Sequence, residues 1–124
     1  MLAKNIAIGV AYYQAMSNKE LVAIEKYLHP DVQLVSPLAV VTGKAAVLNS
    51  VKNFMTIFNK LTTRVQFGNG DQAMLAYDLD CPAPFGMIRG AVLLTFKDDL
   101  IIGYELFYDA RPFVKQQAEI FTQS

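Results

Sequence analysis

The sequence predicts a single α+β domain in which three N-terminal helices pack on a curved, mixed or antiparallel β-sheet. Two observations lead to this prediction. In the first half of the chain, apolar residues recur at three- and four-residue intervals, as they do on amphipathic helices. From residue 62 onward, short apolar segments alternate with polar positions and are separated by turn-forming residues. Helices followed by a run of strands are typical of the α+β class.

The composition narrows the classes of function. The 124 residues suffice for one domain, and the 53% hydrophobic content indicates extra burial in a pocket or a subunit interface. Eleven basic and eleven acidic residues, without a basic stretch, argue against nucleic acid as a partner. With one cysteine and one histidine, we expect no metal site, and no motif indicates a cofactor. No apolar segment or signal-peptide pattern indicates a membrane or export, so we expect a cytoplasmic protein.

The first half of the chain predicts three helices and one short strand. Residues 3–16 form the first helix, because Ile6, Val10 and Tyr13 lie on one stripe. Ser17 has capping-box spacing to Glu20 and is predicted to begin a second helix, which Pro30 ends. A short strand over 32–37 and a loop follow.

The third helix is predicted to open with Thr42 as its N-cap and to end near Lys60. Four longer strands follow it, separated by turns that contain glycine, proline or aspartate. Their predicted ranges are 62–67, 72–81, 87–96 and 100–109. We assign residues 1–113 to the domain and residues 114–124 to a C-terminal tail, either a short amphipathic stretch or a loose end.

Strand alternation predicts which side chains face the core. In the second long strand, Tyr77 belongs to the apolar face that reads Ala73, Leu75, Tyr77, Leu79, Cys81. The last strand is apolar on both faces. Tyr104, Leu106 and Tyr108 share one face, whereas Glu105 and Phe107 share the other.

Four short segments carry a resemblance to a known fold family. They are Ala11-Tyr12-Tyr13, Leu28-His29-Pro30-Asp31-Val32, Val41-Thr42-Gly43-Lys44 and Glu105-Leu106-Phe107-Tyr108-Asp109. In this order and spacing, residues 6–113 resemble the nuclear transport factor 2-like superfamily, nearest to its SnoaL-like polyketide-cyclase and ketosteroid-isomerase branches. This fold hosts many functions, so the resemblance alone does not assign an activity.

The resemblance implies a cone-shaped roll with an internal apolar pocket and a homodimer formed through the outer face of the sheet. By the same resemblance, the face of the last strand that carries Phe107 points inward, so Glu105 lies in the pocket. The opposite face, with Tyr104, Leu106 and Tyr108, is then expected to form the dimer interface. The predicted pocket residues are Ser36, Phe54, Phe58, Tyr77, Val92, Leu94 and Phe107.

The same resemblance exposes two substitutions at catalytic positions. Steroid isomerases of this fold have a general-base aspartate where this chain has Ser36. Their second acid aligns with Val92, while their oxyanion tyrosine aligns with Tyr12. Of the three roles, this chain keeps the tyrosine.

Two functions are therefore consistent with the sequence. The first is binding of a small apolar molecule without catalysis. The alternative is an isomerase or cyclase that uses Glu105 as general acid or base together with Tyr12 or Tyr13, whose side chains point about 100° apart on a helix. A cavity below about 100 Å³ would argue against the enzyme, because ligand sites are usually several times larger.

Overall fold

Three α-helices cover one face of a curved, unclosed sheet of six strands in this computed structural model, which describes residues 2–116 and residue 120. The predicted fold class is confirmed. The elements, in chain order, are α1 (Leu2–Ser17), α2 (Leu21–Glu25), β1 (Leu28–Val35), β2 (Val40–Thr42), α3 (Lys44–Phe54), β3 (Lys60–Asn69), β4 (Gln72–Asp80), β5 (Met87–Lys97), β6 (Leu100–Tyr108) and a 3-10 helix (Arg111–Gln116).

The strand order across the sheet is β2-β1-β6-β5-β4-β3. The pairing of β1 with β6 is parallel and every other pairing is antiparallel, so the sheet is mixed. Parallel pairing with the last strand brings the helical N-terminal half back over the strands of the second half. The core lies between α1, α3 and the inner face of the sheet.

Ser17 is not the N-cap of the second helix, contrary to the prediction. It is the last residue of α1, and its hydroxyl donates to the Leu61 carbonyl oxygen at 2.8 Å. The residues after it end α1 instead: Lys19 has a positive φ of 58°, and the Glu20 N–H bonds to the Ala15 carbonyl oxygen at 2.9 Å. This is the Schellman arrangement, which satisfies the carbonyls that α1 leaves free.

Thr42 is likewise not the N-cap of α3. It belongs to β2, a strand that the sequence analysis assigned to a loop, and it pairs with Gln33 of β1. Gly43 is the residue before the helix, with a φ of 95° that glycine adopts at little cost. The helix ends at Phe54 rather than near Lys60, because Lys60 already pairs with Asp80 in the sheet.

A β-bulge in β6 decides which of its side chains face the core. Thr95 pairs with Gly103, but its neighbour Phe96 pairs with Ile101, so Ile102 is an extra residue in the strand. An extra residue reverses the alternation from that point on. Ile101 therefore faces the core and so does Tyr104, three positions later.

The predicted orientation of β6 after the bulge is therefore wrong. Tyr104, with 3% of its surface exposed, turns inward, whereas Phe107 is 44% exposed on the outer face. Glu105 shares the outer face with Phe107, and Leu106 and Tyr108 share the inner face with Tyr104. Since both faces of this strand are apolar, the sequence contained no signal that could locate the bulge.

The 3-10 helix spans the position at which the sequence analysis divided domain from tail. Of the predicted tail, residues 114–116 and 120 are described, and the rest lies outside the described residues. Among the helices that the structure describes, none is long and apolar enough to cross a membrane.

Candidate functional site

An apolar cavity of about 30 Å³ lies between α1, α3 and the inner face of the sheet. Its walls are mostly aliphatic and aromatic, and the polar groups among the lining side chains are hydroxyls. The lining comprises Tyr13, Met16, Leu34, Ser50, Val51, Phe54, Leu61, Tyr77, Leu79, Tyr104, Leu106, Tyr108, Phe113 and Ile120. The volume is close to the share of one water molecule in the liquid, far below that of a usual ligand site.

Four buried tyrosines form one side of this site, and we call Tyr12, Tyr13, Tyr77 and Tyr104 the tyrosine cluster. The Tyr13 hydroxyl donates to the Tyr104 hydroxyl over 3.2 Å. The Tyr13 ring stacks on that of Tyr77 with centroids 5.4 Å apart and meets Tyr12 edge-on at the same distance. Such ring contacts stabilise the arrangement beyond the area that they bury.

Burial raises the pKa of every hydroxyl in the tyrosine cluster, since a phenolate loses its hydration in an apolar interior. For Tyr104 the effect of burial on the pKa is partly opposed, because the hydrogen bond from Tyr13 and the nearby Tyr12 hydroxyl favour its ionised form. At the cavity rim, burial also raises the pKa of Tyr108, and the Ser36 hydroxyl partly offsets the shift. All five groups are therefore neutral hydrogen-bond donors at physiological pH.

Two buried hydroxyls have no hydrogen-bond partner of good geometry among the described residues. The Ser50 hydroxyl is one, and it lies on the cavity wall contributed by α3. The Tyr12 hydroxyl is the other, although it is near enough to Tyr104 to affect its pKa. Buried polar groups are nearly always satisfied in proteins, so an unsatisfied one in a cavity wall indicates a group that a bound molecule could engage.

Three of the predicted site residues, Tyr13, Phe54 and Tyr77, line the cavity. Tyr12 lies behind them, edge-on to Tyr13 and Tyr104, so Tyr13 is the one of the pair that reaches the lining.

Four predicted pocket residues are buried or half-buried without lining the cavity. Val92 and Leu94 belong to the inner face of β5, and α1 lies directly on Leu94: a Cβ added at Gly9 would be 3.2 Å from it. Phe58 is buried beneath the Lys19 ammonium group, 4.9 Å from its ring centroid. The Ser36 hydroxyl accepts from the Ala39 N–H at 3.1 Å and shapes the β1–β2 turn.

Glu105 and Phe107 were predicted inside the pocket, and the structure corrects both. They lie on the outer face, where the strand partners of Glu105 are Leu93 of β5 and Val35 of β1. No carboxylate is among the described residues that line the cavity, so Glu105 and a cavity tyrosine do not converge.

Tyr104, Leu106 and Tyr108 line the cavity although they were predicted on the outer face, because the bulge in β6 turns them inward. Two further lining residues, Ser50 on α3 and Phe113 in the 3-10 helix, carry no signal in the sequence that marks them as part of a site. Asp109, at the end of β6, accepts a hydrogen bond from the Arg111 guanidinium at 2.7 Å, and its bonds to Arg111 lower the pKa of its carboxyl to about 2.

The donor groups present do not form a metal centre within the described part of the chain. No three side chains of His, Cys, Asp or Glu come together there. Cys81 is buried and its thiol pKa is raised, first by burial and then by the nearby Asp80 carboxylate, so the thiol is mostly protonated at neutral pH.

Solved structures with the same fold include proteins of differing descriptions. A protein from Kribbella flavida has a TM-score of 0.82 and 21% identity, with 90% of this chain and 91% of that chain covered. A steroid delta-isomerase from Pseudomonas aeruginosa has a TM-score of 0.77 and 19% identity, with 96% and 89% covered. TerC, co-crystallised with polyporic acid, has a TM-score of 0.77 and 19% identity, with 92% and 98% covered. Identities this low establish the fold and leave the activity open.

The family assignment rests on the sequence itself. A search of curated proteins gives no match. The sequence model of the SnoaL-like domain, by contrast, matches residues 10–104, which run from α1 to the bulged strand β6. The chain therefore belongs to the SnoaL-like domain family, within the nuclear transport factor 2-like superfamily.

Proposed function

We propose that this protein binds a small, uncharged and mainly apolar molecule between the helices and the sheet, without acting on it chemically. The cavity of about 30 Å³ must widen around such a molecule, so binding moves the side chains that line it apart. The observation that carries the proposal is the lining, in which hydroxyl groups are the polar elements of an otherwise apolar wall. Ligand sites in proteins commonly combine such walls with a few polar groups that orient the bound molecule.

The hydroxyls supply the orientation. The Tyr104 hydroxyl accepts a hydrogen bond from the Tyr13 hydroxyl, which leaves its own O–H free to donate to an oxygen atom of the ligand. Accepting one hydrogen bond strengthens a hydroxyl as a donor of the next. The unsatisfied Ser50 hydroxyl, on the opposite wall, offers a second contact. A ketone, phenol or quinone oxygen fits this pair of donors.

Charge on the ligand is disfavoured at the same site. The raised pKa values keep the tyrosines neutral, and no cationic side chain is among the described lining residues. An anion moved into this cavity would lose its hydration without a counter-charge, at a cost of several kcal/mol. The same hydroxyls cannot act as bases near pH 7, which is why we propose binding rather than proton transfer.

The test is a calorimetric titration at pH 7 with two probes that share the naphthalene ring system, neutral 2-naphthol and anionic 2-naphthoate. We expect 2-naphthol to bind and 2-naphthoate to bind at least about thirty-fold more weakly, which corresponds to about 2 kcal/mol. Polyporic acid belongs in the panel as well, because TerC was crystallised with it. Equal affinity for the two naphthalene probes would refute the proposed lining as the binding surface.

A pair of variants tests whether Tyr104 donates a hydrogen bond to the oxygen atom of the ligand. Tyr104→Phe should lower the affinity for 2-naphthol about two- to tenfold, because the loss of one hydrogen bond usually has an effect of this size. The affinity for naphthalene, which has no hydroxyl, should not change. Tyr27→Phe is the matched control, since Tyr27 is half-buried and does not line the cavity. A loss of equal size in both variants would contradict the role given to Tyr104.

We also propose a homodimer, formed through the outer face of the sheet by residues other than those first predicted. Strand pairing aligns one row across all six strands on this face, apolar except at Glu105: Phe67, Met74, Leu93, Glu105, Val35 and Val40. From ordinary strand spacings the whole face measures about 700 Å². Standard interfaces bury about 600 to 1,000 Å² per partner, so the area of this face falls within the usual range.

Sedimentation velocity tests the dimer. Phe67 is 67% exposed, so Phe67→Lys should convert dimers to monomers without a large cost to folding. Val22, on α2, is 73% exposed in the helical layer and lies away from the outer face of the sheet, so Val22→Lys is the control and should leave the dimer intact. A wild-type monomer at high micromolar concentration would contradict the proposal.

A further inference from the structure

The C-terminal 3-10 helix presents Phe113 to the cavity. Phe113 is 1% exposed and forms part of the lining. Its described neighbours in the helix are all exposed, namely Arg111, Pro112, Val114 and Lys115. Within this helix, one aromatic ring therefore makes the buried contact between segment and cavity.

The ring of Phe113 occupies a slot between two other aromatic rings. It stacks on Phe85, from the β4–β5 loop, with centroids 4.9 Å apart and planes 12° apart. It meets the Tyr108 ring edge-on at 5.8 Å, with planes 86° apart. A flat face on one side and an edge on the other fit a planar ring better than a branched aliphatic group.

The cavity is small because this ring fills part of it. With Phe113 in place about 30 Å³ remains, whereas withdrawal of a phenylalanine side chain would free on the order of 100 Å³ more. The slot lies at the edge of the family domain, since Phe113 follows the matched residues 10–104. The walls of the cavity thus come mainly from the matched residues, whereas Phe113 and its neighbour Tyr108 follow them in the chain.

We propose that the slot between Phe85 and Tyr108 is a subsite for a planar aromatic ring of the ligand, which Phe113 occupies in the free protein. Ligand and 3-10 helix then compete for one place. This inference rests on the proposed binding function, and it adds the aromatic class of the ligand and the group that the ligand displaces.

The start of the 3-10 helix is held close to the slot, so Phe113 competes with the ligand as part of the same molecule. Asp109 accepts four hydrogen bonds from Arg111, one from its backbone N–H at 3.1 Å and three from its guanidinium at 2.7 to 3.2 Å. These bonds fix the start of the helix at the end of β6. A ring tethered this closely has a high effective concentration at its slot, so it lowers the apparent affinity of any molecule that needs the same place.

The experiment compares the full-length wild-type protein with Phe113→Ala, using 2-naphthol as the aromatic probe and decahydro-2-naphthol as its saturated counterpart. If the slot is filled by Phe113 about nine-tenths of the time, the variant should bind 2-naphthol about tenfold more tightly. The saturated probe should gain less, because it cannot stack flat on Phe85. Val114→Ala, an exposed position in the same helix, should bind like the wild type.

A second readout follows the displaced segment and needs no variant. Trypsin cleaves after Lys115, while Pro112 blocks cleavage after Arg111. Saturating 2-naphthol should speed cleavage after Lys115 in the wild type by about tenfold, because local opening exposes the backbone. Mass spectrometry of the fragments measures the rate at that bond.

The outcomes separate the two proposals. Equal 2-naphthol affinity in wild type and Phe113→Ala would overturn the subsite and leave the binding function standing. Binding of no probe by either protein would overturn both. Unchanged cleavage after Lys115 while 2-naphthol is bound would overturn the subsite even if the alanine variant fails to fold.

Discussion

Gly90 allows the Tyr77 ring to lie flat over β5, and Gly90→Ala tests this contact. The two residues are strand partners on the inner face. A Cβ added at Gly90 would lie 2.8 Å from the Cζ and hydroxyl oxygen of Tyr77, closer than nonbonded atoms approach. The ring cannot move freely, because it stacks on Tyr13, so it must shift toward the cavity of about 30 Å³.

The expected cost is that of an overpacked core, about 2 kcal/mol. For 124 residues the entropy of unfolding is about 0.26 kcal/mol per kelvin, so the melting temperature should fall by about 8 °C. The displaced ring also fills the cavity, and 2-naphthol affinity should fall by about tenfold, the equivalent of about 1.4 kcal/mol. Differential scanning calorimetry and titration calorimetry measure the two effects.

A double-mutant cycle with Tyr77→Leu identifies the cause. Leucine lacks the Cζ and hydroxyl atoms that the new methyl group would meet, so Gly90→Ala should cost less than about 0.5 kcal/mol in that background. If the cost stays near 2 kcal/mol without the tyrosine ring, the steric explanation is wrong and the penalty lies in the backbone of β5.

Further predictions concern pH, the outer face and the cysteine. The contribution of the buried tyrosines to stability should be level up to about pH 10 and fall above it, since the unfolded chain then ionises tyrosines that the fold keeps protonated. Urea titrations above pH 10 should give a loss of up to about 1.4 kcal/mol per pH unit for each such tyrosine, and Tyr77→Phe should remove one such contribution. Glu105→Gln should leave the affinity for 2-naphthol, measured by calorimetry, within about twofold of wild type, because the carboxylate lies outside the cavity. A larger change would show that Glu105 does contribute to the binding site. The buried Cys81 thiol should react with a disulfide reagent about a hundredfold more slowly in native protein than in urea, and comparable rates would contradict its burial.

Local patterns predicted most of the secondary structure. The stripe Ile6, Val10, Tyr13 predicted α1, and alternation together with turn residues placed β3 to β6 within two residues of their bounds. The core face of β4, which contains Tyr77, was also confirmed. These features depend on interactions between residues close in sequence, so periodicity reveals them.

Capping was harder to predict, because one short pattern serves two purposes. The residues from Ser17 to Glu20 have the spacing of an N-terminal box, yet they form the C-terminal cap of α1. Similarly, Thr42 has the chemistry of an N-cap, yet pairing with Gln33 draws it into β2. In both cases a tertiary or neighbouring hydrogen bond outcompeted the local preference.

The sequence by itself determined the α+β class, the order of the three helices and the four long strands, the family and the place of Tyr13, Phe54 and Tyr77 in the lining of the cavity. Only the tertiary structure decided the orientation of the last strand. One extra residue, Ile102, turns Tyr104 inward and Glu105 outward, and it does so between two faces of similar hydrophobicity. Which face is buried then depends on pairing with β5 and β1 and on the helices above them, and these contacts join residues far apart in the chain.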